Sequence, residues 1–141
     1  MGLHLNDEFI SWLSQRRTAI TSYKILIADD EYLIRWSLSQ ALSQQGYEVF
    51  SVENGEKAIE ATKAQHFDFI ITDLYMPELD GWKVLEMTSQ IQSPPRVIII
   101  TARGSEETRR IAKARGAWAY VEKPYIINKI KEILRLGSDF N

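Results

Sequence analysis

The sequence contains no cysteine, which excludes a disulfide framework, thiolate metal ligation and thiol chemistry. Long apolar runs are also missing. None approaches the ~20 residues of a membrane helix, so no membrane insertion is expected. Near the start, Asp7, Glu8, Arg16 and Arg17 break up any signal-peptide core. Gly2 follows Met1, but Asn6 stands where a myristoylation motif needs Ser or Thr. An excess of one charge is lacking too. The net charge of -2 offers no extended electrostatic footprint for a polyanion, so no direct nucleic acid binding is expected. There is no G-x-G-x-x-G and no P-loop, which disfavours a flavin- or nucleotide-binding module. What is present is ordinary: 141 residues, 45% hydrophobic and 26% charged, enough for one domain with a real core. The expectation is a cytoplasmic protein.

Apolar runs and amphipathic stretches alternate along the chain. Residues 5 to about 17 place Leu5, Phe9, Trp12 and Leu13 on one helical face, followed by a linker through Ser22. This segment, 1–22, either packs on its own domain or serves as a dimer or partner contact. From Tyr23 to residue 137 the pattern predicts five strands and five helices. The strands cover 23–28, 47–52, 68–72, 96–100 and 118–121. The helices cover 31–45, 54–65, 81–90, 106–114 and 125–136, with Asn54 and Ser105 as caps and Gly46, Gly116 and Gly137 as stops. Residues 138–141 are left as a tail. Strands alternating with helices imply a parallel sheet covered on both faces. Right-handed crossovers at this size favour a flavodoxin-like, doubly wound α/β fold of strand order 2-1-3-4-5, with an extra N-terminal helix.

In that order the first and third strands are neighbours, and ligands bind at their carboxyl edge. Asp29 and Asp30 follow the first strand, and Asp73 follows the third. Three carboxylates at one edge repel: at 4 Å a pair costs about 4 kcal/mol at an effective dielectric of 20. The cluster is tolerated if a cation sits among it or one acid is protonated. Oxygen ligands suit a hard ion, and Mg²⁺ fits a site of few carboxylates. A single Asp here is explained as a helix cap, but two plus Asp73 are not. Thr101 and Lys123 end the fourth and fifth strands at the same edge. A hydroxyl, an ammonium and a divalent cation together suit a phosphoryl group.

The motifs Asp29-Asp30-Glu31, Asp73-Leu74-Tyr75-Met76-Pro77-Glu78-Leu79-Asp80-Gly81, Thr101-Ala102 and Tyr120-Val121-Glu122-Lys123-Pro124 follow one another at domain-like spacing. In these residues, from about Tyr23 to Leu136, the chain resembles the receiver domain of two-component response regulators. Ile34-Arg35-Trp36 is similar to receivers of the nitrogen-regulation type. The resemblance implies that Asp73 accepts a phosphoryl group from a phosphohistidine on a sensor histidine kinase or phosphotransfer protein. It implies Mg²⁺ held by Asp30, Asp73 and the Tyr75 carbonyl, with Asp29 acting through water. Lys123 would pair with Asp73 or the phosphoryl oxygens, Thr101 would bond the phosphoryl group, and Tyr120 would swing between outward and inward rotamers. Tyr75 and Arg103 would tune phosphoryl lifetime by their bulk. The responding surface would be the fourth helix, fifth strand and fifth helix, used for a downstream protein target or a homodimer. The run Arg109, Arg110, Lys113 and Arg115 reads as a solvated helix face, and Trp118 is expected to pack near Tyr120.

Such a protein would catalyse only its own phosphorylation and dephosphorylation. Two other readings stay open. An aspartate-nucleophile phosphatase needs a second acid two residues after the nucleophile, where Tyr75 stands. A receiver-like interaction module that is never phosphorylated would have no use for the intact set of acids, Thr101 and Lys123.

Overall fold

The computed structural model describes residues 6–8, 23–124 and 126–140. The helix expected over residues 5 to about 17 and the linker after it, residues 6–8 apart, lie outside the described residues, as does Tyr125. Five strands are present: β1 (Lys24–Ala28), β2 (Glu48–Val52), β3 (Phe69–Asp73), β4 (Arg96–Thr101) and β5 (Ala119–Glu122). The helices between and after them are α1 (Tyr32–Gln44), α2 (Gly55–Ala64), α3 (Gly81–Thr88), α4 (Glu106–Ala114) and α5 (Ile126–Leu136). All strand pairs are parallel and the order is β2-β1-β3-β4-β5, as the alternation predicts. Among the described residues no helix is long and apolar enough to cross a membrane.

The period-2 geometry of the strands divides the core into two layers. Leu26, Ala28, Ile70, Val97, Ile99 and Tyr120 point to one face, where Ala58 of α2, Val84 and Leu85 of α3 and Ala112 of α4 cover them. Ile25, Ile27, Ile71, Ile98, Ile100 and Val121 point to the other, beneath Leu38 and Leu42 of α1 and Ile126, Ile130 and Ile133 of α5. Each fully buried aliphatic contributes about 1.5–3 kcal/mol. Several such residues per layer can therefore offset the repulsion of an acid cluster at the sheet edge. Helix starts follow local chemistry. The side chains of Asn54, Asp80 and Ser105 accept hydrogen bonds from the N–H groups of Lys57, Lys83 and Thr108 at 2.8, 3.0 and 3.0 Å.

Three expectations shift. Asp73 is the last residue of β3 rather than the first of the loop, because its backbone still pairs in register with Ile100. Helix α3 stops at Thr88 rather than near residue 90. There Thr88 Oγ1 donates to the Val84 carbonyl at 2.7 Å and Ser89 Oγ to the Glu86 carbonyl at 2.7 Å, side-chain bonds that compete with helix continuation. Trp118 precedes β5 and packs with the α1–α5 layer, whereas Tyr120 belongs to the opposite layer, so the two aromatics are not packed together.

Candidate functional site at the carboxyl edge of the sheet

Parallel neighbouring strands deliver their carboxyl ends to one edge, and the loops that follow β1, β3, β4 and β5 meet there. Asp29 is fully buried, Asp73 is 5% exposed, and Asp30 and Glu31 are exposed. One ligand oxygen from each of Asp29, Asp30, Glu31 and Asp73 can be chosen so that all lie within 4.8 Å of one another. Lys123 reaches this cluster from the end of β5. Its Nζ lies 3.0 Å from each of Asp29 Oδ2, Glu31 Oε1 and Asp73 Oδ2. The ammonium donates aligned hydrogen bonds to Glu31 and Asp73. Asp29 Oδ2 is paired with the same ammonium at ion-pair distance, without the alignment of a hydrogen bond. The Lys123–Pro124 peptide bond is cis.

Backbone contacts fix the acids. Asp29 Oδ1 accepts from the Glu31 N–H at 2.8 Å, and the Asp29 carbonyl accepts from Arg35 Nη1 at 2.7 Å. Asp73 Oδ1 accepts from the Tyr75 N–H at 3.2 Å. Tyr75 itself is 47% exposed. Gly81 has no room for a side chain: a Cβ would lie 2.4 Å from the Asp73 carbonyl oxygen and 2.8 Å from Leu74 Cα. The Gly81 N–H donates to the Leu74 carbonyl at 2.9 Å, so the loop folds back directly against the strand that carries Asp73. Thr101, fully buried at the end of β4, accepts from the Arg103 N–H at 3.1 Å, and its carbonyl accepts from the Lys123 N–H at 2.8 Å. The turn after β4 and the lysine after β5 are thereby tied together.

The electrostatics are those of an acid cluster held by one ammonium. Burial pushes the Asp29 carboxyl above its ordinary value, against the lowering effects of the Glu31 N–H and Lys123. For Lys123, burial alone would favour the neutral amine. Pairing with Asp29, Glu31 and Asp73 outweighs it and holds the ammonium well above the usual lysine range. Four carboxylates facing one ammonium remain net negative, and an all-oxygen donor set of this kind fits a hard divalent cation such as Mg²⁺.

The expected residues thus separate into groups. Asp29, Asp30, Asp73 and Lys123 converge, and Thr101 stands at the same edge. Tyr120 lies away from the acids, directed inward and 2% exposed. Burial raises its pKa against the lowering effect of the Ser105 backbone, and its hydroxyl has no aligned partner among the described residues. Sequence reasoning missed Glu31 as a contact of Lys123. Its position beside the acid pair was the available signal. Gly81 was read only as a turn residue, and its approach to Asp73 has no local signature. The helix face of basic residues is solvated at Arg110 and Lys113, but Arg109 is half-buried and donates to the Tyr120 carbonyl at 3.2 Å.

Comparison with known proteins identifies the family and the fold. Residues 25–135 match the family model of the response regulator receiver domain. The chain is 33% identical over 112 residues to sporulation initiation phosphotransferase F of Bacillus subtilis, covering 79% of this chain and 90% of that protein. Chemotaxis protein CheY4 of Vibrio cholerae superposes with a TM-score of 0.73 at 30% identity, covering 82% of this chain and 98% of that one. Response regulator protein TrrA of Thermotoga maritima, solved in complex with Mg²⁺–BeF, gives a TM-score of 0.71 at 30% identity over 81% of this chain and 97% of that one.

Proposed function

The chain belongs to the response regulator receiver family of two-component signalling, and from that premise we propose that Asp73 is its phosphoryl acceptor, working with Mg²⁺. The observation that carries this reading is the meeting of Lys123 Nζ with Asp29, Glu31 and Asp73, each at 3.0 Å, beside a compact set of carboxylate oxygens. The donor would be a phosphohistidine on a histidine kinase or a phosphotransfer protein. In the transfer, one Asp73 carboxylate oxygen forms a bond to phosphorus as the histidine N–P bond breaks. The nitrogen keeps the electron pair and the imidazole is restored.

The residue roles are those that membership of this family implies. Asp30, Asp73 and the Tyr75 carbonyl would hold Mg²⁺, with Asp29 acting through water. When bound, the ion would neutralise charge on the phosphoryl oxygens. Lys123 holds the Asp73 carboxylate in place in the resting protein through a 3.0 Å contact. After transfer it would pair with the new phosphoryl oxygens, since Asp73 no longer carries a full charge. Thr101 exchanges its present bond from the Arg103 N–H for one donated to the phosphoryl group. Phosphorylation brings roughly -1.5 to -2 charge to the edge. A shift of Thr101 would then bias Tyr120 and the surface formed by α4, β5 and α5, where a downstream protein or a second copy would bind. Tyr75 and Arg103, both exposed beside the site, would slow water attack. We also read residues 1–22 as a helix and linker outside the receiver unit of 23–137.

No second acid stands two residues after Asp73, so the site supports holding an acyl phosphate better than turning over an external phosphoester. Phosphoryl uptake from acetyl phosphate, followed by intact mass, tests the proposal. The native chain should gain one phosphoryl group in Mg²⁺ and none in excess chelator, and Asp73→Asn should gain none in either. Uptake that ignores the chelator would reject the metal role.

A further inference from the structure

The segment after α5 turns back at Gly137, whose φ of 101° is a left-handed conformation suited to glycine, and lies along the open edge of the sheet. Strand β5 is the last in the order, so its outward backbone groups lack a strand partner among the described residues. Residues 138–140 supply partners. Ser138 Oγ donates to the Trp118 carbonyl. Asp139 Oδ1 accepts from the Tyr120 N–H at 3.4 Å, and Asp139 Oδ2 pairs with Arg109 Nη2 at 3.3 Å. Arg109 completes the ring by donating to the Tyr120 carbonyl at 3.2 Å. The Phe140 ring lies under the Arg109 guanidinium at 5.1 Å and within 6.0 Å of the Lys113 ammonium, and it packs against the core layer that contains Tyr120. The Phe140 N–H folds onto Ser138 Oγ at 3.0 Å. A groove of about 370 Å³ between α4 and this segment is lined by Glu106, Arg109, Arg110, Lys113, Asp139 and Phe140.

These are the contacts of a bound peptide: a carboxylate on a guanidinium, an aromatic ring under cations, and backbone groups of an edge strand satisfied from outside. We propose that the α4–β5 face is a recognition site for a short segment carrying an acidic residue followed by an aromatic one, and that Ser138–Phe140 is its built-in occupant. A partner presenting Asp-Phe or Glu-aromatic chemistry binds by displacing it. The charge match favours an acidic partner, because three of the groove's side chains, Arg109, Arg110 and Lys113, are cationic. The occupant is a short segment after the last helix, held by a few contacts and partly exposed, which places it toward the low end of local stability. The inference rests on the reading of this face as the partner surface and adds its occupant; the contacts themselves do not involve Asp73, so their test can fail while phosphorylation of Asp73 stands.

The test uses the isotope-labelled full chain, its Asp139→Ala/Phe140→Ala double variant, and the synthetic peptide Leu-Gly-Ser-Asp-Phe-Asn, which repeats residues 136–141. The Tyr120 amide and Arg109 side-chain NMR signals should move in the variant, while those of Ile25–Ile27 stay. Added peptide should return them saturably toward native positions. A tethered competitor acts at roughly millimolar effective concentration, so the native chain should need about tenfold more peptide or more. Native positions should also survive a large dilution. Unmoved Tyr120 and Arg109 signals in the variant, or no return with peptide, would overturn the proposal. Dilution-dependent signals would assign the contact to a neighbouring copy and overturn it equally. If the double variant loses its fold, Asp139→Asn gives the reading: faster hydrogen exchange at the Tyr120 amide is expected, and unchanged exchange counts against the idea.

Discussion

Replacing Lys123 by Met removes the ammonium and keeps most of the aliphatic stem. At 3.0 Å and an effective dielectric of 20, each ion contact corresponds to roughly 5 kcal/mol of gross attraction. The contact with Glu31, whose side chain is 58% exposed, is discounted to about 0–1 kcal/mol because solvent screens it. The contacts with Asp29 and Asp73 are buried, so their loss leaves carboxylates facing one another without a counter-charge. Breaking a buried pair typically costs about 3–5 kcal/mol, and that is the destabilisation expected at neutral pH in chelator. Urea unfolding followed by tryptophan fluorescence measures it, with the slope m checked for constancy. Mg²⁺ should restore more stability to the variant than to the native chain, since the ion then supplies the only counter-charge. The pH dependence has a defined sign. Lys123 has a raised folded pKa, so its contribution is fully present below the ordinary lysine value and is lost as pH rises through the folded one. The difference between native and variant should therefore hold from neutral pH upward and shrink only under strongly alkaline conditions. A variant as stable as the native chain in chelator at neutral pH would refute the reasoning.

Three further perturbations separate the roles of neighbouring groups. Burial holds the Asp29 carboxyl above its ordinary value, so ionised Asp29 costs stability once pH rises through the folded value; Asp29→Asn should raise the urea midpoint at neutral pH while weakening Mg²⁺ binding by roughly 10–100-fold, measured by calorimetry. Gly81→Ala drives a methyl group against the Asp73 carbonyl, and a loss of about 1–3 kcal/mol is expected from overpacking; an unchanged midpoint would show that the loop yields freely. Tyr120→Phe removes a buried hydroxyl without an aligned partner, so thermal unfolding should shift upward, by about 1 kcal/mol in stability, rather than downward.

The fold was legible because its signals are local. Alternating runs set strands and helices, Asn54 and Ser105 open helices, and crossover handedness leaves few orders for five parallel strands. The gathering of Asp29, Asp30, Asp73 and Lys123 followed from strand order alone, since each stands at or just past a strand end. Contacts set by tertiary packing were not legible. Glu31 is the helix N-cap of α1 by backbone position, yet its side chain makes no cap and goes to Lys123, far away in sequence. Arg109 resembles any basic residue on a polar helix face, and only its approach to Tyr120 and Asp139 distinguishes it. Trp118 fell in the opposite layer because it stands before β5, where strand alternation no longer holds it to the side that Tyr120 faces.

The most direct test of the central claim is reductive trapping. An acyl phosphate is reduced by borohydride to an alcohol, so a phosphorylated aspartate becomes homoserine. After incubation with Mg²⁺ and acetyl phosphate, reduction and peptide sequencing should find homoserine at position 73 of the native chain, and nowhere else. Homoserine at Asp29 or Asp30, or a phosphoryl group that resists reduction and stays on a hydroxyl such as that of Thr101, would contradict the assignment of Asp73 as acceptor.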